Sequence, residues 1–394
     1  MRRSNNVFMP LVGAGALGLA VVYAVSRFPS LRRNLVKWGI YAADPLSDSL
    51  QPHMRKVARG MECMSIVSVD DLSTKQIECL MTLAKFFGER VSQKQSCDLL
   101  HESIMVTLFH EPSTRTRCSF EAAMLKLGGK VISISDAATS SASKGETVED
   151  SVRVLSSYAD VLVMRHPESG VMQRVKGHLN VPLINAGDGC GEHPSQALLD
   201  LYTISTHFPM LDRNTDQGAF TICFVGDLKN GRTAHSLAKL LSRFNVVMRY
   251  VAPPQLQMPT EIQREVEKNF AKYVSSPVEM DTSVQNIPDL LFPRQTSFSN
   301  LEDGCEGADV IYVTRLQKER MDAKEYDLVK DSYHIQKSLL AKLPRHVKIM
   351  HPLPRVDEIP TEIDGDERAI YFQQAQNGLY VRMAMLYLIL NPVK

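Results

Sequence analysis

The chain has 394 residues, of which 44% are hydrophobic and 23% are charged, and its formal net charge at pH 7 is +1. This length predicts about two domains with room for an additional segment, and the composition is that of a soluble enzyme. A charge so close to zero excludes a protein that binds nucleic acid through bulk electrostatics. The seven cysteines form no CxxC pair, so we expect neither a metal site nor a disulfide framework.

The first 43 residues differ from the rest of the chain because they contain arginine and lysine but no acidic residue. Within them, residues 7–25 form an apolar stretch long enough to contact or span a membrane. The acid-poor, arginine-flanked composition also fits a leader for import into a mitochondrion or plastid, and a cytoplasmic enzyme with a tethered tail is the alternative. We therefore interpret residues 1–43 as a targeting or membrane-anchor leader and residues 44–68 as a linker.

Residues 69–206 are predicted to form a first domain of alternating helices and strands. Ser73 and Gln76 form a capping box that begins a helix. A further helix is expected near Thr147, and another opens at His193, which precedes a proline. The predicted strands are residues 131–134, 160–164 and 181–184.

Residues 207–371 are predicted to form a second domain of the same class. Apolar runs that each end in a polar loop recur here, at residues 220–227, 246–254, 308–317 and 347–355. Strands that alternate with helices predict an α/β fold with two doubly wound parallel-sheet domains, whose substrates bind at the carboxyl ends of the strands. Residues 281–300 lack periodicity and are interpreted as a surface insertion. An amphipathic helix is expected at residues 378–390.

The most informative segment is FHEPSTRTRCSFE, residues 109–121. Pro112 cannot lie inside a helix and Ser113 is a good N-cap, so the loop turns into a helix at this point. The first helical turn then offers backbone N–H groups, three hydroxyls and two guanidiniums to one small volume. This arrangement predicts a phosphate site at a helix N-terminus.

Six ordered blocks resemble the transcarbamylase family, in particular aspartate carbamoyltransferase, over roughly residues 69–392. The blocks are FHEPSTRTRCSFE, SKGETVED, VMRHPESG, NAGDGCGEHPSQALLDLYT, VGDLKNGRTAHSL, and the pair VTRLQKER and MHPLPRVDEI. The resemblance implies transfer of a carbamoyl group from carbamoyl phosphate to L-aspartate in pyrimidine biosynthesis, without a cofactor or metal. It also implies a carbamoyl-phosphate domain, an aspartate domain, and a C-terminal helix (residues 372–394) that returns to the first domain.

The resemblance assigns a set of residues to carbamoyl phosphate. The phosphate would bind to Ser113, Thr114, Arg115 and Thr116. Thr116, Arg165 and His193 would polarise the carbonyl oxygen as catalytic residues. The carbamoyl nitrogen would contact Gln196 and the backbone carbonyls of Leu353 and Pro354, across a cis peptide bond. Taken alone, Arg165 could instead pair with Glu168 or Asp188, and His193 could be only a helix cap.

The resemblance also assigns the aspartate site and an oligomeric state. Arg232 and Arg315, with Gln317, would hold the two carboxylates of aspartate, for which forked guanidiniums are suited. Ser140 and the catalytic Lys144 would reach the site of a neighbouring subunit, which implies a homotrimer with shared active sites. The region of the family that closes the domains over the substrates would include Glu319, Arg320, Glu325 and Tyr326.

Three alternatives compete with this interpretation. Ornithine carbamoyltransferase shares the phosphate helix, but it has HCLP where this chain has HPLP at residues 351–354, and its Ser-Met-Gly block is missing here. A catalytically silent, membrane-anchored scaffold is suggested only by the leader. A nicotinamide-linked oxidoreductase is suggested by GAGALG at residues 13–18, but no complete βαβ unit or ribose-binding acid accompanies it.

Overall fold

The computed structural model describes residues 52–135, 144–189, 191–208, 220–273, 294–318, 321, 323–329 and 333–390. The predicted leader of residues 1–43 and the predicted site residue Ser140 lie outside these ranges. Within them, no helix has both the length and the apolar character needed to cross a membrane.

The described residues contain strands and α-helices in regular alternation. The strands are β1 (Ile104–Phe109), β2 (Lys130–Ile134), β3 (Val161–His166), β4 (Leu183–Asp188), β5 (Phe220–Gly226), β6 (Val246–Val251), β7 (Gln295–Phe298), β8 (Val310–Thr314) and β9 (Lys348–Met350). The helices are α1 (Pro52–Arg59), α2 (Thr74–Ser92), α3 (Thr114–Lys126), α4 (Val148–Ser156), α5 (Val171–Lys176), α6 (Pro194–His207), α7 (Arg232–Leu241), α8 (Thr260–Tyr273), α9 (Leu301–Cys305), α10 (Ala323–Val329), α11 (Lys337–Lys342) and α12 (Tyr371–Leu390).

The strands form two sheets, in which every neighbouring pair is parallel. The first sheet has the order β2-β1-β3-β4, and the second has the order β7-β6-β5-β8-β9. Each order reverses its direction once, between β1 and β3 in the first sheet and between β5 and β8 in the second. In open parallel sheets, this reversal opens a crevice for ligands at the carboxyl ends of the strands. The prediction of two parallel-sheet α/β domains is thus confirmed.

The inner strands read as apolar runs because they are buried along their length. Every residue of the inner strand β8 is buried, and so is every residue of the edge strand β4, as expected for strands of a parallel sheet covered on both faces. Polar residues appear where these strands end, at Asp188 and Thr314. The polar side chains therefore concentrate at the carboxyl ends of the strands in each sheet.

The last helix differs from its prediction. α12 begins at Tyr371, seven residues before the expected start at Gly378, and it is buried on nearly all sides rather than amphipathic. It packs against α2, α3 and α6, which belong to the first half of the chain. The predicted domain boundary at residue 372 therefore falls within its first turn.

Two segments that the sequence predicts to be irregular are structured. Residues 44–68 are not a simple linker where they are described, because Ile66 forms a parallel bridge with Ile184 of β4 and is fully buried. The predicted surface insertion at residues 281–300 is wrong for its last part, because Gln295–Phe298 is a strand paired with β6. Residues 281–293 lie outside the described ranges.

Candidate active site

A cavity of about 440 Å³ lies where the carboxyl ends of strands from both sheets face each other. Its walls come from the loops after β1, β4, β5, β8 and β9, from the end of β3, and from α3, α6, α7 and α12. The structure brings twelve of the predicted site residues to this one cavity. They are Ser113, Thr114, Arg115, Thr116, Arg165, His193, Gln196, Arg232, Arg315, Gln317, Leu353 and Pro354.

The N-terminus of α3 presents the predicted phosphate site. Ser113 is the N-cap residue, but its side chain makes no capping hydrogen bond. The first N–H groups of a helix have no partner within the helix, so this end of α3 keeps both hydroxyl and backbone donors for a ligand. Thr116 is buried on the helix beside the cavity. Arg115 is exposed as a whole, but partial burial of its guanidinium lowers the pKa of that group from its ordinary value.

An acidic residue, Glu111, joins the two arginines that sequence reasoning assigned to different substrates. Its Oε1 lies 2.6 Å from Nη2 of Arg165 and 3.1 Å from Nη2 of Arg232. Burial alone would raise the pKa of the Glu111 carboxyl, but the two guanidiniums hold it below its ordinary value. Burial, and then the charge of Arg232, lower the pKa of Arg165 to about 10, so Arg165 remains a cation at neutral pH.

These contacts correct the partners that the sequence suggested for Arg165. Glu168 pairs with Arg174 instead, with 2.6 Å between Oε1 and Nη1. Asp188 accepts hydrogen bonds from the backbone N–H groups of Gly170 and Glu192, at 3.0 and 2.8 Å. Arg165 thus points into the cavity with Glu111 as its ion-pair partner.

His193 is a neutral imidazole in this site. The residue is buried, and burial followed by the charges of Arg165 and Arg232 lowers its pKa well below the ordinary value. Its backbone N–H donates to Oγ of Ser236 on α7 at 3.1 Å, so a residue of the first half of the chain is tied to the second. A neutral imidazole can donate an N–H to an oxygen without adding a further charge.

Gly187 lies directly beneath these groups, with φ of +117°. A Cβ at this position would lie 3.3 Å from Nη1 of Arg165, and 3.5 Å from both Cζ of Arg232 and Cδ2 of His193. Glycine therefore meets two requirements here, a positive φ and a close approach of the backbone to the site.

Replacing Gly187 with alanine is expected to lower kcat at least tenfold, because the added methyl group displaces the cations of the site. Gly170→Ala is the matched control, since Gly170 also has a positive φ of +83° but no atom within 4 Å of an added Cβ. Both variants should lose about 1 kcal/mol or more of stability through backbone strain. Steady-state kinetics and thermal unfolding would separate strain from displacement, and equal kcat losses in both variants would contradict the explanation.

The second half of the chain supplies the remaining wall. Gln317 donates its Nε2 to the carbonyl of Asn230 at 2.7 Å, and Arg315 is half-buried beside it. The Leu353–Pro354 peptide bond is cis, as predicted. The backbone N–H of Leu353 donates to Nδ1 of His351 at 2.8 Å, which fixes the loop that carries this peptide.

One predicted residue that the structure describes is not brought to the cavity. Lys144 is exposed and does not line it, and Ser140 lies outside the described residues. No group of three His, Cys, Asp or Glu side chains that could hold a metal ion occurs among the residues described.

Several residues of the site were missed by sequence reasoning. Glu111, Gln374 and Arg382 line the cavity, and Asp200 lies behind it, fully buried. Burial lowers the pKa of Arg382 to about 10, and its Nη1 donates to Oγ of Ser119 at 3.0 Å. Glu111 lies within the FHEPSTRTRCSFE motif, two residues before Ser113, and Asp200 follows Gln196 by one helical turn, so both positions carried a signal in the sequence.

Two family profiles match most of the chain. Residues 64–206 match the carbamoyl-P binding domain of aspartate/ornithine carbamoyltransferase. Residues 219–290 and 293–389 match the Asp/Orn binding domain of the same family. The second match is interrupted at residues 291–292, within the predicted insertion of residues 281–300.

Individual relatives agree with these profiles. The chain is 43% identical to the aspartate carbamoyltransferase catalytic subunit of Thermoplasma acidophilum, over 83% of this chain and 98% of that one. It is 40% identical to multifunctional protein pyr1-3 of Dictyostelium discoideum over 87% of this chain, which spans only 14% of that protein. Among solved structures, aspartate transcarbamoylase from Trypanosoma cruzi in complex with carbamoyl aspartate and phosphate superposes with a TM-score of 0.72 and 36% identity, covering 84% of this chain and 97% of that one.

Proposed function

The chain belongs to the aspartate/ornithine carbamoyltransferase family, and from this premise we propose that it transfers the carbamoyl group of carbamoyl phosphate to L-aspartate. The products are N-carbamoyl-L-aspartate and phosphate, in pyrimidine biosynthesis. The observation that carries the proposal is that one cavity is lined both by the α3 N-terminus and by Arg232 and Arg315. A helix N-terminus suits a phosphate, and two guanidiniums suit a dicarboxylate.

The phosphate of carbamoyl phosphate binds at the N-terminus of α3. Backbone N–H groups and the hydroxyls of Ser113, Thr114 and Thr116 donate to its oxygens, and Arg115 adds a cation. These donors are fixed before the reaction, so they stabilise the phosphate as it departs with the electron pair of the broken C–O bond.

The carbonyl oxygen of the substrate is polarised by Thr116, Arg165 and His193. Negative charge develops on this oxygen when the amine attacks, and donors that are already in place stabilise that charge without reorganisation. His193 contributes a neutral N–H donor, because burial and the neighbouring arginines lower its pKa. Arg165 contributes a positive charge that Glu111 holds in position.

Aspartate binds against Arg232, Arg315 and Gln317, and its amino group then lies next to the carbonyl carbon. A C–N bond forms, the C–O bond to phosphate breaks, and the amine loses a proton. Holding both reactants in one cavity removes most of the entropic cost of their encounter.

We further propose that the active unit is a homotrimer in which Lys144 reaches the cavity of a neighbouring subunit. The support is that Lys144 is exposed and lies away from the cavity of its own chain. Mixing Lys144→Ala protein with Arg165→Leu protein under subunit exchange is then expected to restore activity. Some subunit interfaces will combine the intact Arg165 of one chain with the intact Lys144 of its neighbour. Neither variant alone should be active, and a mixture that stays inactive after verified exchange would contradict shared sites.

The reaction is tested with the purified full-length protein and carbamoyl phosphate, offering aspartate or ornithine in separate assays. Carbamoyl aspartate and phosphate are expected in equal amounts with aspartate, and no citrulline with ornithine. Citrulline formation would favour the ornithine enzyme. No product with either amine would favour a silent scaffold.

We propose that residues 1–43 are a leader that directs the enzyme into a mitochondrion or plastid and is cleaved after import. The support is their acid-poor, arginine-flanked composition around the apolar residues 7–25. A fusion of residues 1–60 to a fluorescent protein should enter an organelle and lose its N-terminus. A fusion that stays at a membrane with its N-terminus intact would support a membrane anchor. A fusion that stays in the cytoplasm would contradict both the import leader and the membrane anchor.

A further inference from the structure

The buried carboxylate of Asp200 joins three elements behind the cavity. Its Oδ1 accepts from Nε2 of Gln196 at 2.9 Å, and from Nε2 of Gln374 at 2.7 Å. Its Oδ2 accepts from the hydroxyl of Tyr312 at 2.7 Å. The donors come from α6, α12 and β8, so this carboxylate connects both halves of the chain immediately behind Gln196.

The directions of the two glutamine hydrogen bonds in this network are fixed by one backbone group. The N–H of His351 can only donate, and it lies 2.8 Å from the side-chain oxygen of Gln374. The Gln374 nitrogen must therefore face Asp200, which makes Oδ1 an acceptor. This holds in either ionisation state, because a proton on the carboxyl would reside on Oδ2.

The same acceptor determines how Gln196 is oriented. Since Oδ1 of Asp200 accepts, the amide of Gln196 must turn its nitrogen toward Asp200. Its oxygen is then left for the cavity that Gln196 lines. A reversed amide would place a carbonyl oxygen against the acceptor oxygen of Asp200, in a buried site where such repulsion is costly.

Building on the proposed function, we propose that Asp200 is a positioning residue that fixes the oxygen of Gln196 as an acceptor for the carbamoyl NH₂ group. The N–H of His351 and the amide of Gln374 set the direction of this chain of hydrogen bonds. The site thereby selects a carbamoyl phosphate over an acyl phosphate of the same shape that carries a methyl group. His351 belongs to the loop that also presents Leu353, so both contacts to the carbamoyl nitrogen share one support.

Acetyl phosphate is the probe, because its methyl group replaces the NH₂ group and cannot donate a hydrogen bond. Its reaction with aspartate forms a C–N bond, breaks the C–O bond to phosphate, releases the amine proton to solvent and yields N-acetylaspartate. The measured quantity is the ratio of kcat/KM for carbamoyl phosphate to kcat/KM for acetyl phosphate. Where acetyl transfer is too slow to measure, acetyl phosphate is tested as an inhibitor that competes with carbamoyl phosphate. The reciprocal of its inhibition constant then replaces its kcat/KM in the ratio.

Three variants of the full-length protein test the proposal. Asp200→Leu removes the acceptor and should lower the ratio about tenfold, through loss of carbamoyl phosphate activity. Gln196→Met should lower it by a similar factor, because the thioether is a weak acceptor. Asp200→Asn should keep the ratio within about threefold of the wild type, since its oxygen still accepts from both glutamines and its nitrogen faces Tyr312.

The outcomes are distinguishable. A merely structural role would lower both activities together in Asp200→Leu and leave the ratio unchanged, which would overturn the proposal. A ratio that falls equally in Asp200→Asn would overturn the argument from bond direction. If circular dichroism shows that the leucine variant is unfolded, Asp200→Ala takes its place with the same expected ratio. Wild-type protein that forms no carbamoyl aspartate would instead refute the proposed function itself.

Discussion

Replacing Arg165 with leucine is expected to lower kcat/KM for carbamoyl transfer by roughly a thousandfold. Arg165 is a buried cation that lines the cavity and is proposed to polarise the carbonyl oxygen. Loss of a single preorganised donor at a developing oxyanion costs about 10²–10³ in rate. The loss should lie at the upper end of this range, because Glu111 would keep its charge with only Arg232 as a partner. Steady-state kinetics with carbamoyl phosphate varied at saturating aspartate measures the effect.

Two further variants identify the origin of that loss. Arg117→Leu removes an arginine of the phosphate helix α3 that does not line the cavity and pairs with Glu121, with 3.2 Å between Nη1 and Oε1. It should stay within about threefold of the wild type. The double variant Glu111→Gln with Arg165→Leu should recover part of the activity if the unpaired carboxylate contributes. An Arg165→Leu protein that folds normally and retains more than a tenth of the wild-type kcat/KM would contradict the assigned role.

Replacing Arg315 with leucine is expected to raise KM for aspartate roughly 30- to 100-fold and to leave KM for carbamoyl phosphate within about threefold. Arg315 directly follows β8 and lines the same cavity as the phosphate helix. A charge-assisted hydrogen bond to a carboxylate contributes about 1.5–3 kcal/mol. Arg315→Lys should give an intermediate KM, because lysine keeps the charge but loses the forked donor geometry.

The control for Arg315 is its neighbour Lys318. This side chain is exposed and lies 5.1 Å from the ring centroid of Tyr326, and it does not line the cavity. Lys318→Ala should therefore change KM for aspartate by less than about threefold. A larger effect from Lys318 than from Arg315 would mean that the aspartate carboxylates bind elsewhere.

The strands and caps were predictable because their physical causes are local. A buried parallel strand such as β5 is an apolar run that ends in a polar loop, and this pattern needs no knowledge of the rest of the fold. The capping box of Ser73 and Gln76 is present as predicted, with both reciprocal hydrogen bonds formed. Helix α6 likewise starts with His193 as its N-cap and proline in the first position.

The errors arose where tertiary contacts override local patterns. β7 is a half-exposed edge strand of polar residues, so its sequence lacks the apolar run of an inner strand. Gly378 looked like a helix start, but it lies inside α12, where a Cβ would collide with Arg382 and lie 3.1 Å from Cδ2 of Leu199. The first turns of α12 bury the polar side chains of Gln374 and Asn377 and expose Phe372, so no apolar pattern could reveal them.

The same distinction between local causes and tertiary contacts applies to the residues of the candidate active site. Residues that face a ligand, such as Arg115 and His193, were predicted because their motifs imply their chemistry. Residues that act on other residues were missed, because their roles depend on contacts between distant segments. Glu111 meets Arg232 from 121 positions away, and Asp200 meets Gln374 from 174 positions away. No sequence spacing indicates such pairs.

The most direct test of the central claim is a competition assay with full-length protein. Carbamoyl phosphate is supplied with equal concentrations of isotopically labelled aspartate and ornithine, and both products are quantified by mass spectrometry. Their ratio is the ratio of the two kcat/KM values. A cavity with Arg232 and Arg315 on one wall predicts that carbamoyl aspartate exceeds citrulline at least a hundredfold. Citrulline in equal or greater amount would show that this wall does not recognise a dicarboxylate.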